Sequence, residues 1–336
     1  MRQKAKWWVR EKSGKIKCTL CPRYCLLDDG QKGFCFIREN IDGTLYSTAY
    51  GRPTGFAIDP IEKKPLNHFY PGSEILSFGT AGCNLGCKFC QNWTMSKSQI
   101  DEINSVNATP EEVIALAKKH DVKSIAYTYN DPTIIGEYVI DISKLAQEEG
   151  INSVMVTAGY IDAEARKDIY KYIGAANIDL KAFTEDFYHN LTSSQLAPVL
   201  DTIKWLKNET DIWIELTTLL IPNENDSDDE IKRMANWILE NLGDEVPHHF
   251  TAFHPTFKLM NHQRTPSATL DRARNIAMNA GIKYVYTGNV HNPKAETTYC
   301  PNCKAPLIER DWHNVNSNKI VNGKCSLCNY KIVGVF

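Results

Sequence analysis

The stretch Phe78-Gly79-Thr80-Ala81-Gly82-Cys83-Asn84-Leu85-Gly86-Cys87-Lys88-Phe89-Cys90 decides how the rest of the chain is read. Cys83, Cys87 and Cys90 have the spacing C-x3-C-x2-C, which puts three thiolates on one tight loop. Gly79, Gly82 and Gly86 let the backbone fold closely around them. Three thiolates are one short of a closed tetrahedral zinc site. They are also one short of the four that usually hold an iron–sulfur cluster. A [4Fe–4S] cube held at three corners keeps one iron free to bind something else. The plainer readings are three buried structural cysteines, or half of a zinc site.

Upstream, Glu74–Gly79 is a short apolar run closed by a glycine, the pattern of a buried strand. Downstream, helix and strand signals alternate. Thr109-Pro110-Glu111-Glu112 is a capping box with proline at the first helical position, opening a helix to about His120. Ser124–Tyr129 reads as a strand, and Pro132 opens a helix that Gly150 stops. Strands follow at Asn152–Thr157, Ala176–Leu180, Asp211–Leu220, His249–His254 and Lys283–Thr287. Helices between them are capped by Asp162, run through Leu200–Lys207, or end at Gly243 and Gly281. Ser227-Asp228-Asp229-Glu230 reads as a second capping box, whose helix aligns Ile231, Met234, Ala235, Ile238, Leu239 and Leu242 on one stripe. Six strand–helix units and a further strand, counted from Glu74, predict an α/β fold with a parallel sheet.

Composition bounds the reading. The chain has 336 residues, enough for one large α/β domain with small appendages. A formal net charge of −2 gives no global electrostatic footprint for nucleic acid, so nucleic acid is not expected as a partner. No apolar run is long enough to span a membrane, and the basic start lacks the apolar core of a secretory signal. The eleven cysteines fall into three tight sets with metal-ligand spacing, as expected in a reducing cytoplasm.

The first set is Cys18, Cys21, Cys25 and Cys35, a four-thiolate knuckle that zinc or an auxiliary [4Fe–4S] cluster would fit. Four reduced cysteines without metal is the alternative. The last set, Cys300, Cys303, Cys325 and Cys328, forms two C-x2-C knuckles with the signature of a zinc ribbon. His313 lies between these knuckles and is expected at the surface rather than as a ligand. The expected organisation is an N-terminal metal-binding segment over 1–70, a β/α domain over 71–292 and a zinc ribbon over 293–336.

The Cys83–Cys90 loop resembles the signature of the radical S-adenosylmethionine (radical SAM) enzymes. That resemblance implies a partial (β/α)6 barrel of the TIM type, with the loop after its first strand. It implies a [4Fe–4S] cluster on Cys83, Cys87 and Cys90 whose open iron chelates S-adenosylmethionine. One electron then cleaves the sulfonium to a 5′-deoxyadenosyl radical, which abstracts hydrogen. The cofactors carry this chemistry, so no side chain is assigned as a catalyst.

Further site residues come from the related pyruvate formate-lyase activating enzymes, which the stretch from about 70 to 290 resembles. Phe89 occupies the aromatic position near the adenine. Tyr129-Asn130-Asp131-Pro132 stands where those enzymes carry Gly-Gly-Glu-Pro, making Asn130 and Asp131 candidates for binding the methionine moiety. Turn formation and helix capping are their competing roles. Asp179-Leu180-Lys181 matches an Asp-Leu-Lys of the relatives, Glu215 lies on the next strand, and Phe253-His254-Pro255 matches a Phe-His near bound cofactor. The leading Cys18–Cys35 motif, the Tyr127–Thr133 strand end and the terminal knuckles together resemble the radical SAM component of the AmmeMemoRadiSam system. Implied partners are an electron donor such as flavodoxin or ferredoxin and a protein, peptide or small-molecule substrate. A competing reading is a non-catalytic zinc-knuckle protein for a macromolecular partner, with zinc at all three cysteine sets.

Overall fold

A computed structural model describes residues 2–336. Its centre is one eight-stranded sheet whose strands neighbour one another in chain order. They are β1 (Thr54–Pro60), β2 (Glu74–Gly79), β3 (Ser124–Tyr127), β4 (Asn152–Thr157), β5 (Ala175–Asp179), β6 (Trp213–Leu220), β7 (His248–Ala252) and β8 (Val285–Gly288). From β2 to β8 every pairing is parallel, whereas β1 runs antiparallel to β2. β1 and β8 form the two edges, so the barrel is open between them.

The expected boundary after residue 70 therefore falls inside the sheet, because Thr54–Pro60 pairs with the strand that leads to the cysteine loop. Helices cover the outside, as parallel crossovers require. Every residue of β3 and β7 is buried, as expected of strands packed on both faces.

Helix α1 (Pro110–Lys119) starts with the expected capping box. The Thr109 hydroxyl accepts from the Glu112 amide, and the Glu112 carboxylate accepts from the Thr109 amide at 2.7 Å. The second expected box is only half formed at α2 (Asp228–Leu242). Ser227 accepts from the Glu230 amide, but the Glu230 carboxylate instead takes the Phe183 amide at 2.6 Å. Glu230 thus fastens its helix to the loop after β5.

Inside the barrel, Ile61, Leu66 and Phe69 pack against Ile75, Ala126, Val154 and Ala175. This apolar plug fills the lower interior, toward the strand N-termini, and leaves the C-terminal mouth for polar groups. Ahead of the sheet, the N-terminal residues form two three-stranded sheets. After it, Thr298–Tyr299, Pro306–Asp311 and Asn314–Asn318 form another, next to a two-stranded ribbon. No helix among the described residues is long and apolar enough to cross a membrane.

Candidate active site

The strand C-termini enclose a cavity of about 480 Å³, within the range of small-molecule sites. Cys83, Cys87 and Cys90 all line it, so three sulfurs separated in sequence share one chamber. Burial pushes the Cys87 thiol up to about 12 and raises that of Cys83 as well. A metal must displace the protons of these two thiols on binding.

Asn130 and Asp131 hold the chamber in shape. The Asn130 side-chain oxygen accepts from the Thr80 amide at 3.1 Å, and its nitrogen donates to the Gly82 carbonyl at 2.6 Å. One carboxamide therefore spans the start of the cysteine loop. Asp131 accepts from the Thr133 amide at 3.0 Å, and from the Thr157 hydroxyl and the Ala158 amide at 2.9 Å each. That carboxylate ties the end of β3 to the end of β4. Between strand and turn, Tyr129 has φ +71°, uncommon for so bulky a residue and typical of functional sites.

Lys181 and Asp179 project from the end of β5 into the same chamber, with Nζ 2.8 Å from the carboxylate. Burial alone would lower the Lys181 pKa, but the charge and hydrogen bond of Asp179 outweigh it and raise it. A fixed cation thus faces the cysteine loop. The Thr287 hydroxyl and Glu62 Oε2 are buried at the cavity without a protein partner. Buried polar atoms normally have partners, so these two mark places where a polar ligand would bind.

The structure brings Asn130, Asp131, Asp179 and Lys181 together with the three cysteines, but three other expected residues lie elsewhere. Phe89 is buried beside Phe187, at 5.7 Å between ring centres, and does not line the cavity. Glu215 sits one layer too deep, level with Asn177 rather than Asp179. It accepts from the Asn67 and His68 amides, Trp213 Nε1 and His249, and is the anchor of the loop at 67–68. His254 lies past the end of β7, is exposed, and stays outside the cavity. On that strand His249 and Thr251 point inward instead. Period-two alternation, applied from the strand interior, would have found His249.

The C-terminal residues close one side of the chamber. Arg310, Trp312 and His313 line it, so His313 is half-buried at the site rather than at the surface. Arg310 donates to the Asn67 carbonyl at 2.7 Å and pairs with Glu62 at 3.4 Å. No sequence signal pointed to these contacts, which join positions 243 and 248 residues apart. Farther out, Cys300 and Cys328 approach to 3.6 Å and Cys303 and Cys325 to 3.7 Å, with all four sulfurs within 4.8 Å. A tetrahedral zinc site with Zn–S bonds of about 2.3 Å has sulfur–sulfur edges of about 3.8 Å.

Residues 78–238 match the family model described as the Radical SAM superfamily. The chain is 43% identical over 335 residues to the uncharacterized protein MJ0808 of Methanocaldococcus jannaschii, covering 98% of each. It is 27% identical over 182 residues to a pyruvate formate-lyase-activating enzyme of Clostridium pasteurianum, covering 51% of this chain and 71% of the other. Among solved structures, a radical SAM methyltransferase from Sphaerobacter thermophilus has the same kind of fold, with a TM-score of 0.52 at 17% identity. That match covers 66% of this chain and 68% of the other. The match and the shared chamber do not favour the reading as a non-catalytic zinc-knuckle protein.

Proposed function

We propose, for a chain that belongs to one family with the archaeal protein MJ0808 and carries a radical SAM domain, that the barrel mouth binds a [4Fe–4S] cluster and S-adenosylmethionine. The observation that carries this is one chamber holding Cys83, Cys87 and Cys90 beside the Asp179–Lys181 pair. The residues fit the cluster: three thiolates on one loop line a cavity of about 480 Å³ and leave a fourth corner open. When bound, the pair supplies one-electron cleavage of a sulfonium and hydrogen abstraction from an unactivated carbon.

The chain's own residues do the positioning. Asn130 clamps the loop, Asp131 fixes the strand ends, and Lys181 offers a cation to a carboxylate or to cluster charge. Thr287 and Glu62 supply free acceptors, and the C-terminal hairpin limits access of water. His249, held by Glu215, presents its ring to the cavity. Phe89, Glu215 and His254 are not part of this proposal as ligand contacts.

We assign the substrate to a protein or peptide, since a relative is named for activating pyruvate formate-lyase. The finer resemblance to the AmmeMemoRadiSam radical SAM component belongs to the same proposal. So do zinc at Cys300, Cys303, Cys325 and Cys328, a flavodoxin or ferredoxin as electron donor, and a place in the reducing cytoplasm.

Anaerobic reconstitution with iron and sulfide, followed by reduction with dithionite and S-adenosylmethionine, tests the reading. Methionine and 5′-deoxyadenosine should form, and Cys87→Ala should abolish both while zinc stays bound. Cleavage that persists in Cys87→Ala would remove the cluster from this loop.

A further inference from the structure

We propose that the outer face of the cysteine loop, centred on Trp93, Phe257 and Met260 and flanked by Lys88 and Lys258, docks an acidic one-electron carrier protein. The inference rests on the reading of the barrel mouth as a radical SAM centre and locates the partner that reduces it. One electron leaves the carrier's reduced group and the cluster gains it, with no atom transferred.

Cys83 and Cys87 are buried, whereas Cys90 is half-buried, so the loop approaches the surface at its third cysteine. The hydroxyl oxygen of Ser96 lies 3.1 Å from the Cys90 sulfur and belongs to the helical turn Trp93–Ser96. That turn presents Trp93, 42% exposed, whose ring stacks on Phe257 with centres 5.4 Å and planes 12° apart. Phe257 has φ +50°, a conformation bulky residues seldom adopt and one found at functional sites. Met260 on the same loop is 62% exposed. The Lys258 amide donates to the Lys88 carbonyl at 2.9 Å, fastening this loop to the backbone between Cys87 and Cys90.

Exposed aromatic and methionine side chains with cations at the edge have the composition of a protein interface. Lys88 and Lys258 are both exposed. Acids on the neighbouring segments have partners of their own. Glu185 accepts from the Leu196 and Ala197 amides, Asp186 from the Asn190 side chain, and Glu224 pairs with His262. The face is therefore locally positive on a chain whose formal net charge is −2, and it complements an acidic partner.

The position of the patch selects an electron carrier over a substrate. Cys90, Gln91, Asn92 and Ser96 line the chamber, but Trp93, Phe257, Lys258 and Met260 do not. A substrate must bring an atom into the chamber to lose its hydrogen. An electron needs no opening and can cross the few bonds between the surface and Cys90. Trp93 lies outside the chamber and three residues from that cysteine.

The test compares two electron sources on the reconstituted full chain: dithionite, which needs no docking, and a bacterial flavodoxin held reduced by NADPH and its reductase. The readout is 5′-deoxyadenosine formed per chain. Raising salt from about 50 to about 300 mM should slow flavodoxin-driven cleavage about tenfold and leave the dithionite-driven rate within about twofold. A Lys258→Glu, Met260→Glu variant should slow flavodoxin-driven cleavage about tenfold at low salt and leave the dithionite-driven rate unchanged. Lys232→Glu, an equal charge change at an exposed position of α2, should alter neither. A flavodoxin-driven rate unaffected by the double variant would overturn the assignment. So would an equal fall with both sources, which would make residues 257–260 a support of the cysteine loop. A wild-type chain that cleaves with dithionite but with neither flavodoxin nor ferredoxin would also overturn it. Should the double variant not fold, the salt dependence of the wild-type chain decides. No cleavage by wild type with dithionite would instead refute the radical SAM reading itself.

Discussion

The side-chain nitrogen of Asn130 donates to the main-chain carbonyl of Gly82 at 2.6 Å, clamping the cysteine loop from the strand beside it. Its oxygen satisfies the Thr80 amide at the same time. Asn130→Ala leaves both buried backbone groups unpaired, at a cost of about 1–3 kcal/mol for each. Thermal unfolding should show the loss, and the reconstituted variant should retain less iron. A variant as stable and as iron-rich as wild type would show that the clamp does not position the loop.

Gly82 and Gly243 both have positive φ, near +81° and +83°, but only Gly82 is crowded. Gly243→Ala meets no atom within 4 Å, so it carries backbone strain alone, about 1–3 kcal/mol. Gly82→Ala would in addition drive its methyl into the Cys35 backbone. Denaturant titration should therefore rank Gly82→Ala well below Gly243→Ala, with iron lost only from the former. Equal stabilities would contradict the close packing of the two loops.

The Asp179–Lys181 pair is asymmetric, with side-chain exposures of 37% and 14%. Asp179→Ala strands an ammonium with little water and should cost about 2 kcal/mol, below the full penalty of a deeply buried pair. Lys181→Met leaves a half-exposed carboxylate and should cost less than about 1 kcal/mol. Function should follow the opposite order. Lys181→Met should weaken S-adenosylmethionine binding about tenfold, read by equilibrium dialysis, as expected on losing a charge-assisted bond.

His68 links the barrel to the C-terminal segment, with Nδ1 2.7 Å from the Val333 carbonyl and Nε2 2.6 Å from the Tyr286 hydroxyl. The first contact makes Nδ1 the donor, and burial favours the neutral ring, in which Nε2 accepts from Tyr286. Burial holds its pKa down to about 4 against an ordinary 6.5, with the Glu215 charge pulling the other way. Because the folded value lies below the unfolded one, its contribution is complete above pH 6.5 and is lost as pH falls toward 4. At about 1.4 kcal/mol per pH unit, the loss is about 3 kcal/mol. Unfolding free energy measured across that window should slope downward on acidification, and His68→Gln should flatten the slope. A slope unchanged in His68→Gln would assign the effect to other groups.

Removing metal from Cys300, Cys303, Cys325 and Cys328 should loosen the hairpin that carries Arg310 across the cavity mouth. Glu62 would then lose its buried cation partner, while Oε2 already lacks one. Hydrogen exchange should rise across 298–333 after chelation, with the protein otherwise folded. Unchanged exchange there would mean that packing, not metal, holds the hairpin in place.

The cysteine spacing, the strand–helix alternation and the capping at Thr109 were legible from the chain alone, because each rests on residues within a few positions of one another. Asn130, Asp131, Asp179 and Lys181 were reached only through the resemblance to the activating enzymes, and the fold places all four at strand ends around the cavity. Depth within the barrel was not legible. Glu215 and Asp179 both face inward, but inter-strand register puts Glu215 level with Asn177, beneath the cavity. His249 and His254 lie on one segment, and only the end of β7 at Ala252 separates the one that enters the cavity from the one in solvent.

Arg310 and His313 belong to the same class of tertiary decision. Their place at the site depends on how the C-terminal hairpin docks against residues 62–67, a contact across most of the chain. Local sequence specifies which residues can bind metal and which segments form strands. Register and docking are summed over many distant contacts, and those contacts alone selected the side chains that face the chamber.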